Sequence, residues 1–158
     1  MTKQKTQKVS AGDNAPEFKL KSYKGEDIQL SNFKGKYIVV YFYPKDDTPG
    51  CTIEARGFQK LLDKFKAKNA VVLGVSPDSM ESHCSFAEKY NLNFYLLSDE
   101  GHNVAEQYGA WGKKNMYGKI SEGIIRSTFL ISPDGKVIRA WYKVKPEGHA
   151  EEVLNSIP

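Results

Sequence analysis

The sequence predicts an α/β fold, with a central mixed sheet flanked by helices and a β-hairpin on the N-terminal side. Three observations carry this. Short runs rich in β-branched and aromatic residues recur at Tyr37–Tyr43 (YIVVYFY), Ala70–Val75 (AVVLGV) and Phe94–Leu97 (FYLL), each right for an interior strand. The intervening segments carry apolar residues at the 3–4 residue spacing of amphipathic helices. The chain then closes on a hairpin and a helix. Such alternation builds parallel strands joined by right-handed crossovers, and sheets of that kind put their sites at the carboxyl ends of the strands.

In order, Phe18, Leu20, Ile28 and Leu30 alternate around a turn at Tyr23-Lys24-Gly25-Glu26 and predict the hairpin. The strand Tyr37–Tyr43 leads to a helix from Pro49 to about Lys68, with Phe58, Leu61, Leu62 and Phe65 on its apolar stripe. Ala70–Val75 ends at Ser76-Pro77-Asp78, and a helix from about Ser79 to Tyr90 follows, with Met80, Cys84 and Ala87 on one stripe. After the strand Phe94–Leu97 come a short helix, Val104 to Tyr108, and a second hairpin, Thr128–Ile131 with Val137–Tyr142. That hairpin turns at Ser132-Pro133-Asp134-Gly135. Gly148 to Ile157 reads as the closing helix.

At 158 residues the chain is one domain's worth, expected over residues 13–158. Lys3, Lys5 and Lys8 precede the first acidic residue, Asp13, so residues 1–12 read as a disordered basic tail and account for much of the net charge of +4. No basic stripe interleaves with aromatics, so no nucleic-acid partner is expected. No run approaches membrane-spanning length and no apolar leader opens the chain, so the expected compartment is the cytoplasm. Cys51 and Cys84, 33 positions apart, match neither a zinc spacing nor a C-x-x-C pair. In a reducing compartment such a pair points to redox chemistry rather than to a staple. His83, His102 and His149 lack ligand spacing and read as solvated; neither a metal nor a cofactor is expected.

The chemistry concentrates at Pro44-Lys45-Asp46-Asp47-Thr48-Pro49-Gly50-Cys51, where a buried strand gives way to a helix. Thr48 suits an N-cap, Pro49 the first helical position, and Cys51 falls at the third. A sulfur there faces unpaired backbone N–H groups and the positive end of the helix dipole, which favours thiolate, the nucleophilic form. The neighbours are turn and cap residues rather than core, so a reactive thiol is the better reading than a buried filler.

Pro44-x-x-x-Thr48-x-x-Cys51 resembles the active-site signature of the peroxiredoxins, thiol peroxidases of thioredoxin-like fold. YFYPKDDTPGCT is similar to the branch named for bacterioferritin comigratory protein, or PrxQ. The likeness runs from about Ala15 to Leu154 and includes Ser76-Pro77-Asp78-Ser79, Ser98-Asp99, Arg126–Ile131 (RSTFLI) and Lys143–His149 (KVKPEGH). It implies that Cys51 attacks a hydroperoxide to give a sulfenic acid, that Thr48 contacts sulfur and peroxide, that Pro44 shapes the loop and excludes water, and that Arg126 stabilises the anionic charge. Glu54 reads either as a first-turn partner of the helix dipole or as a residue that orients Arg126. A monomer reduced by thioredoxin or a similar dithiol is expected.

One departure stands out. Many chains of this branch carry a second cysteine five residues after the first, where Arg56 stands here. Cys84 is then either the resolving residue, as in members that carry it in the next helix, or part of the Met80–Cys84–Ala87 core stripe with an external thiol completing the cycle. The resolving role, an intramolecular Cys51–Cys84 disulfide, is the favoured expectation. It requires the first turn around Cys51 to unwind, because a disulfide holds Cα atoms about 4.4–6.8 Å apart. A peroxide sensor or holdase is the alternative outside enzymology.

Overall fold

The computed structural model describes residues 8–116 and 118–158. Along the chain come β1 (Lys19–Ser22), β2 (Asp27–Gln29), a 3-10 turn (Leu30–Phe33), β3 (Tyr37–Phe42), α1 (Pro49–Lys60), α2 (Leu62–Ala67) and β4 (Ala70–Ser76). Then follow α3 (Met80–Tyr90), β5 (Tyr95–Ser98), α4 (Asn103–Gln107), β6 (Trp111–Met116), β7 (Lys119–Ile124), β8 (Ser127–Ile131), β9 (Val137–Tyr142) and α5 (His149–Ser156). One mixed sheet orders its strands β2-β1-β5-β4-β3-β8-β9, and β6 pairs with β7 apart from it. The centre, β3-β4-β5, is parallel, whereas β8 runs antiparallel to β3 and β1 antiparallel to β5.

The continuous apolar run of β3 follows from burial on both faces. Val39, Tyr41 and Tyr43 join Phe58, Phe65, Phe86 and Val153 beneath α1, α2, α3 and α5. Ile38, Val40 and Phe42 pack on the opposite face with Leu73, Tyr108 and Phe129. Because β3 and β4 are parallel, α1 and α3 both start from the same edge of the sheet. That edge holds the cysteine-bearing segments, as the crossover argument expects. The arrangement is the thioredoxin-like fold.

Several expectations need correction. The helix expected to run to Lys68 breaks at Leu61 (φ −100°, ψ 9°), and α2 resumes so that Leu62 and Phe65 bury alongside Phe58. Gly57 lies inside α1, where a Cβ would meet that of Ala150 at 3.4 Å, so the glycine permits close approach of α5. The hairpin β6–β7 has no counterpart in the sequence reading. Its β7 strand is largely exposed, and a segment wet on both faces carries no burial alternation to detect. Of the tail expected over residues 1–12, residues 1–7 lie outside the described residues, and the rest is tied down. Val9 is 6% exposed, its carbonyl accepts a hydrogen bond from the Tyr142 hydroxyl, and Gly12 N–H donates to Val137 O. One apolar side chain and backbone pairing beside β9 suffice to anchor it. Among the described residues, no helix is long and apolar enough to cross a membrane.

Candidate active site

Thr48 occupies the N-cap position of α1 in extended conformation (φ −96°, ψ 159°), followed by Pro49, as the sequence implies. Its hydroxyl, however, caps no helix N–H. It donates to Lys45 O at 2.9 Å and so closes the turn that contains Asp47, whose φ is 60°. The first helical bond runs from Thr52 N to Thr48 O. The amides of Gly50 and Cys51 therefore have no intrahelical acceptor, as in any first turn. Cys51 is buried, with 1% exposure, inside the core cluster that also holds Tyr41, Tyr43 and Phe58.

Arg126 comes from the residue just before β8, the antiparallel neighbour of β3, and its guanidinium forks between two groups. Nη1 donates to Glu54 Oε1 at 2.7 Å, and Nη2 to Cys51 Sγ at 3.4 Å. Gly50 makes this approach possible: a Cβ there would stand 3.2 Å from Nη2 and 3.4 Å from Pro146 Cγ. The Lys143–His149 segment supports the same corner, with Val144 N–H bonded to Arg126 O at 3.0 Å. Burial works against the charge on Arg126, but Glu54 and then Cys51 outweigh it and raise its pKa.

Glu54 is itself buried, and its Oε2 has no hydrogen-bond partner among the described residues. Burial pushes its pKa from 4.5 to about 7, only partly offset by the charge and hydrogen bond of Arg126. Of the two readings of Glu54, the geometry favours a residue that orients Arg126. No acidic group stands in the first turn of α1, so the dipole-partner reading falls away. Pro44 is half-buried at the end of β3.

Cys84 is half-buried on α3, with Sγ 3.9 Å from Glu88 Oε2, and both cysteines are free thiols. The expected Met80–Cys84–Ala87 core stripe is corrected: Met80 is exposed, and the buried face of α3 is His83, Phe86 and Ala87. Cys84 is thus not core filling.

Two of the three histidines expected to be solvated, His83 and His149, are buried, whereas His102 is 36% exposed at its side chain. His83 is fully buried, with Nε2 3.0 Å from Leu97 O and Nδ1 2.7 Å from Asp46 Oδ2. His149 is buried on Thr128 Oγ1 at 2.8 Å, and burial lowers its pKa. His102 stacks on Trp111. The spacing 83, 86, 87 is the signal that could have moved His83 inside. Asp46, Asp78 and His83 bring three potential ligand atoms together, yet both ring nitrogens and both Asp46 oxygens are already in hydrogen bonds. Lys114 on β6 was missed as well. Its stem lies against Gly123, and burial followed by the Arg126 charge lowers its pKa, with Cys51 acting in the opposite sense.

A thiol at a helix start, held against a guanidinium at the carboxyl edge of a thioredoxin-like sheet, defines the thiol-dependent peroxidase class. Residues 11–140 match the AhpC/TSA family model, and the chain belongs to that family, among the peroxiredoxins. It is 49% identical over 149 residues to peroxiredoxin Bcp of Bacillus subtilis, covering 94% of this chain and 95% of that one. To peroxiredoxin Bcp of Escherichia coli K12 it is 47% identical over 147 residues, 93% and 94% of the two chains. Among solved structures, the bacterioferritin comigratory protein of Xanthomonas campestris, described for its alkyl peroxide reduction activity, superposes with a TM-score of 0.85 at 44% identity over 89% of each chain. A cysteine-to-serine variant of PrxQ from Xylella fastidiosa gives 0.88 at 41% identity, over 94% and 95% of the chains. The protein is a peroxidase of the thiol type.

Proposed function

We propose that Cys51 is the peroxidatic residue and that Cys84 resolves its sulfenic acid, in a monomeric cytoplasmic enzyme recycled by thioredoxin or a similar dithiol. The observation that carries this reading is the Arg126 fork, with one arm at Cys51 Sγ and the other fixed by Glu54.

In the first step the Cys51 thiolate attacks the terminal oxygen of a hydroperoxide. The S–O bond forms, the O–O bond breaks, and the departing alkoxide or hydroxide takes a proton to leave as alcohol or water. Negative charge develops on the peroxide oxygens, where a preaimed guanidinium and the free first-turn amides of α1 stabilise it without reorganisation. Thr48 fixes the turn ahead of the helix through Lys45 O, and a hydroxyl that donates there keeps its lone pairs free to accept from a peroxide. Pro44 closes the loop against water.

In the second step Cys84 sulfur attacks the sulfenic sulfur. The S–S bond forms, the S–O bond breaks, and the Cys84 proton leaves with the hydroxyl as water. The half-buried position of Cys84 on α3, which starts from the same sheet edge as α1, supports this role. Organic hydroperoxides join hydrogen peroxide as candidate substrates, given the alkyl peroxide activity ascribed to the Xanthomonas relative.

Peroxide consumption coupled to thioredoxin tests the whole reading. Cys51→Ser is expected to abolish turnover. Cys84→Ser is expected to stop turnover with thioredoxin while leaving one round of peroxide reduction. Undiminished cycling by Cys84→Ser would instead assign resolution to an external thiol.

A further inference from the structure

Asp46 and Asp47 lie inside the signature loop, yet the peroxide chemistry uses neither. Both reach across to α3, the helix that carries Cys84. Asp46 Oδ2 accepts from Ser82 Oγ at 2.7 Å and faces His83 Nδ1 at 2.7 Å, while Oδ1 accepts from the Tyr43 hydroxyl at 2.5 Å. The backbone N–H of Asp46 donates to Asp78 Oδ2 at 2.8 Å, just ahead of α3. Asp47 reaches the other end of the helix: Lys89 Nζ lies 2.8 Å from Oδ2, and the Tyr90 hydroxyl donates to Oδ1 at 2.9 Å.

His83 is the buried centre of this assembly. Its Nε2 faces only the carbonyl oxygen of Leu97, so Nε2 bears a proton. Nδ1 faces Asp46 Oδ2 at 2.7 Å and the Tyr43 hydroxyl at 3.4 Å. Short hydrogen bonds in a dry site are strengthened by the low local dielectric. The pairing therefore joins β5, the signature loop and α3 into one rigid unit.

Cys84 sits between the two anchor points, after Ser82 and His83 and before Lys89 and Tyr90. In this arrangement its sulfur contacts Glu88, while Cys51 is buried in the core against Arg126. The anchored arrangement is the peroxide-reactive one. Forming the S–S bond takes Cys51 Sγ from Arg126 and Cys84 Sγ from Glu88.

We propose that Asp46–His83, assisted by Asp47 with Lys89 and Tyr90, is a positioning clamp that holds the peroxide-reactive conformation and sets the barrier to resolution by Cys84. The proposal rests on the resolving role of Cys84. Asp46 and His83 are positioning residues, because neither touches the sulfur or the peroxide. The clamp sets how long the sulfenic acid persists before it becomes a disulfide, and hence its exposure to a second peroxide and oxidation to sulfinic acid.

The test is a rapid-quench series on the full chain with one equivalent of hydrogen peroxide. Dimedone traps the sulfenic acid, and non-reducing mass analysis counts the disulfide. Tyr90→Phe and Lys89→Ala act at the exposed anchor and His83→Asn at the buried one, with thermal unfolding recorded for each. Each lost anchor is expected to speed disulfide formation about fivefold, with sulfenic acid formation within twofold of wild type. The sulfinic yield at excess peroxide is expected to fall in parallel. A disulfide that forms at the wild-type rate in the two surface variants, or more slowly, overturns the clamp while leaving the Cys84 assignment intact. If the wild-type protein forms no Cys51–Cys84 disulfide at all, the resolving role and the clamp fall together.

Discussion

Replacing Glu54 by Gln tests how burial and the ion pair balance beside the sulfur. The carboxyl is pushed from an ordinary 4.5 to about 7, chiefly by burial and against the pull of Arg126. The folded state therefore holds this proton more tightly than the unfolded chain does. Below pH 4.5 both states are protonated, and the contribution to stability is fully present. As pH rises through 7 the folded protein must ionise a buried carboxyl with one unpartnered oxygen, and the contribution is lost. At 1.36 kcal/mol for each tenfold in proton affinity, the interval from 4.5 to about 7 amounts to about 3 kcal/mol. Gln has the same shape and can still accept from Arg126, but it cannot titrate. The stability of Glu54→Gln minus that of wild type should thus grow by up to about 3 kcal/mol between pH 4.5 and pH 8. Urea unfolding at half-unit pH intervals measures both proteins. Because every other titrating group is common to the pair, the difference isolates Glu54. Parallel curves, or a wild type that gains on the variant as pH rises, would show that the Arg126 pair outweighs burial and would refute the reasoning.

Arg126→Lys keeps a positive charge but loses the fork that reaches Glu54 and Cys51 together, so the rate constant for sulfenic acid formation, measured by stopped flow, should fall about 10²–10³-fold. Gly74→Ala should destabilise the fold by about 1–3 kcal/mol in denaturant unfolding. Its methyl would stand 3.0 Å from the Tyr41 ring and hydroxyl and 3.1 Å from Leu96, inside a filled core.

Much of the fold was legible because burial leaves a periodic trace. β3 and β4 are buried on both faces and so read as unbroken apolar runs; the hairpins β1–β2 and β8–β9 are marked by their turn residues. Where burial is weak or one-sided the trace fades. The β6–β7 hairpin left no alternation, and the anchoring of residues 8–12 depends on a single valine and on backbone bonds, to which sequence patterns are blind. The site divides in the same way. Cys51 was legible because cap, proline and sulfur stand in one local order along α1. Arg126 could be assigned only by resemblance, since its partner lies 75 residues away. The α3 stripe Met80–Cys84–Ala87 was phased one residue off: His83, read as solvated, is fully buried, and Cys84 is half-buried.

By itself the order of amino acids determined the α/β alternation and a cysteine at the entrance of a helix, because hydrogen bonding and side-chain periodicity act over a few neighbouring residues. Only the tertiary structure decided which distant groups meet that sulfur: the guanidinium across Gly50, the carboxyl that aims it, and the histidine that ties the loop to the second cysteine's helix. These contacts depend on strand order and on a core that excludes water, and neither is encoded in any short stretch of the chain.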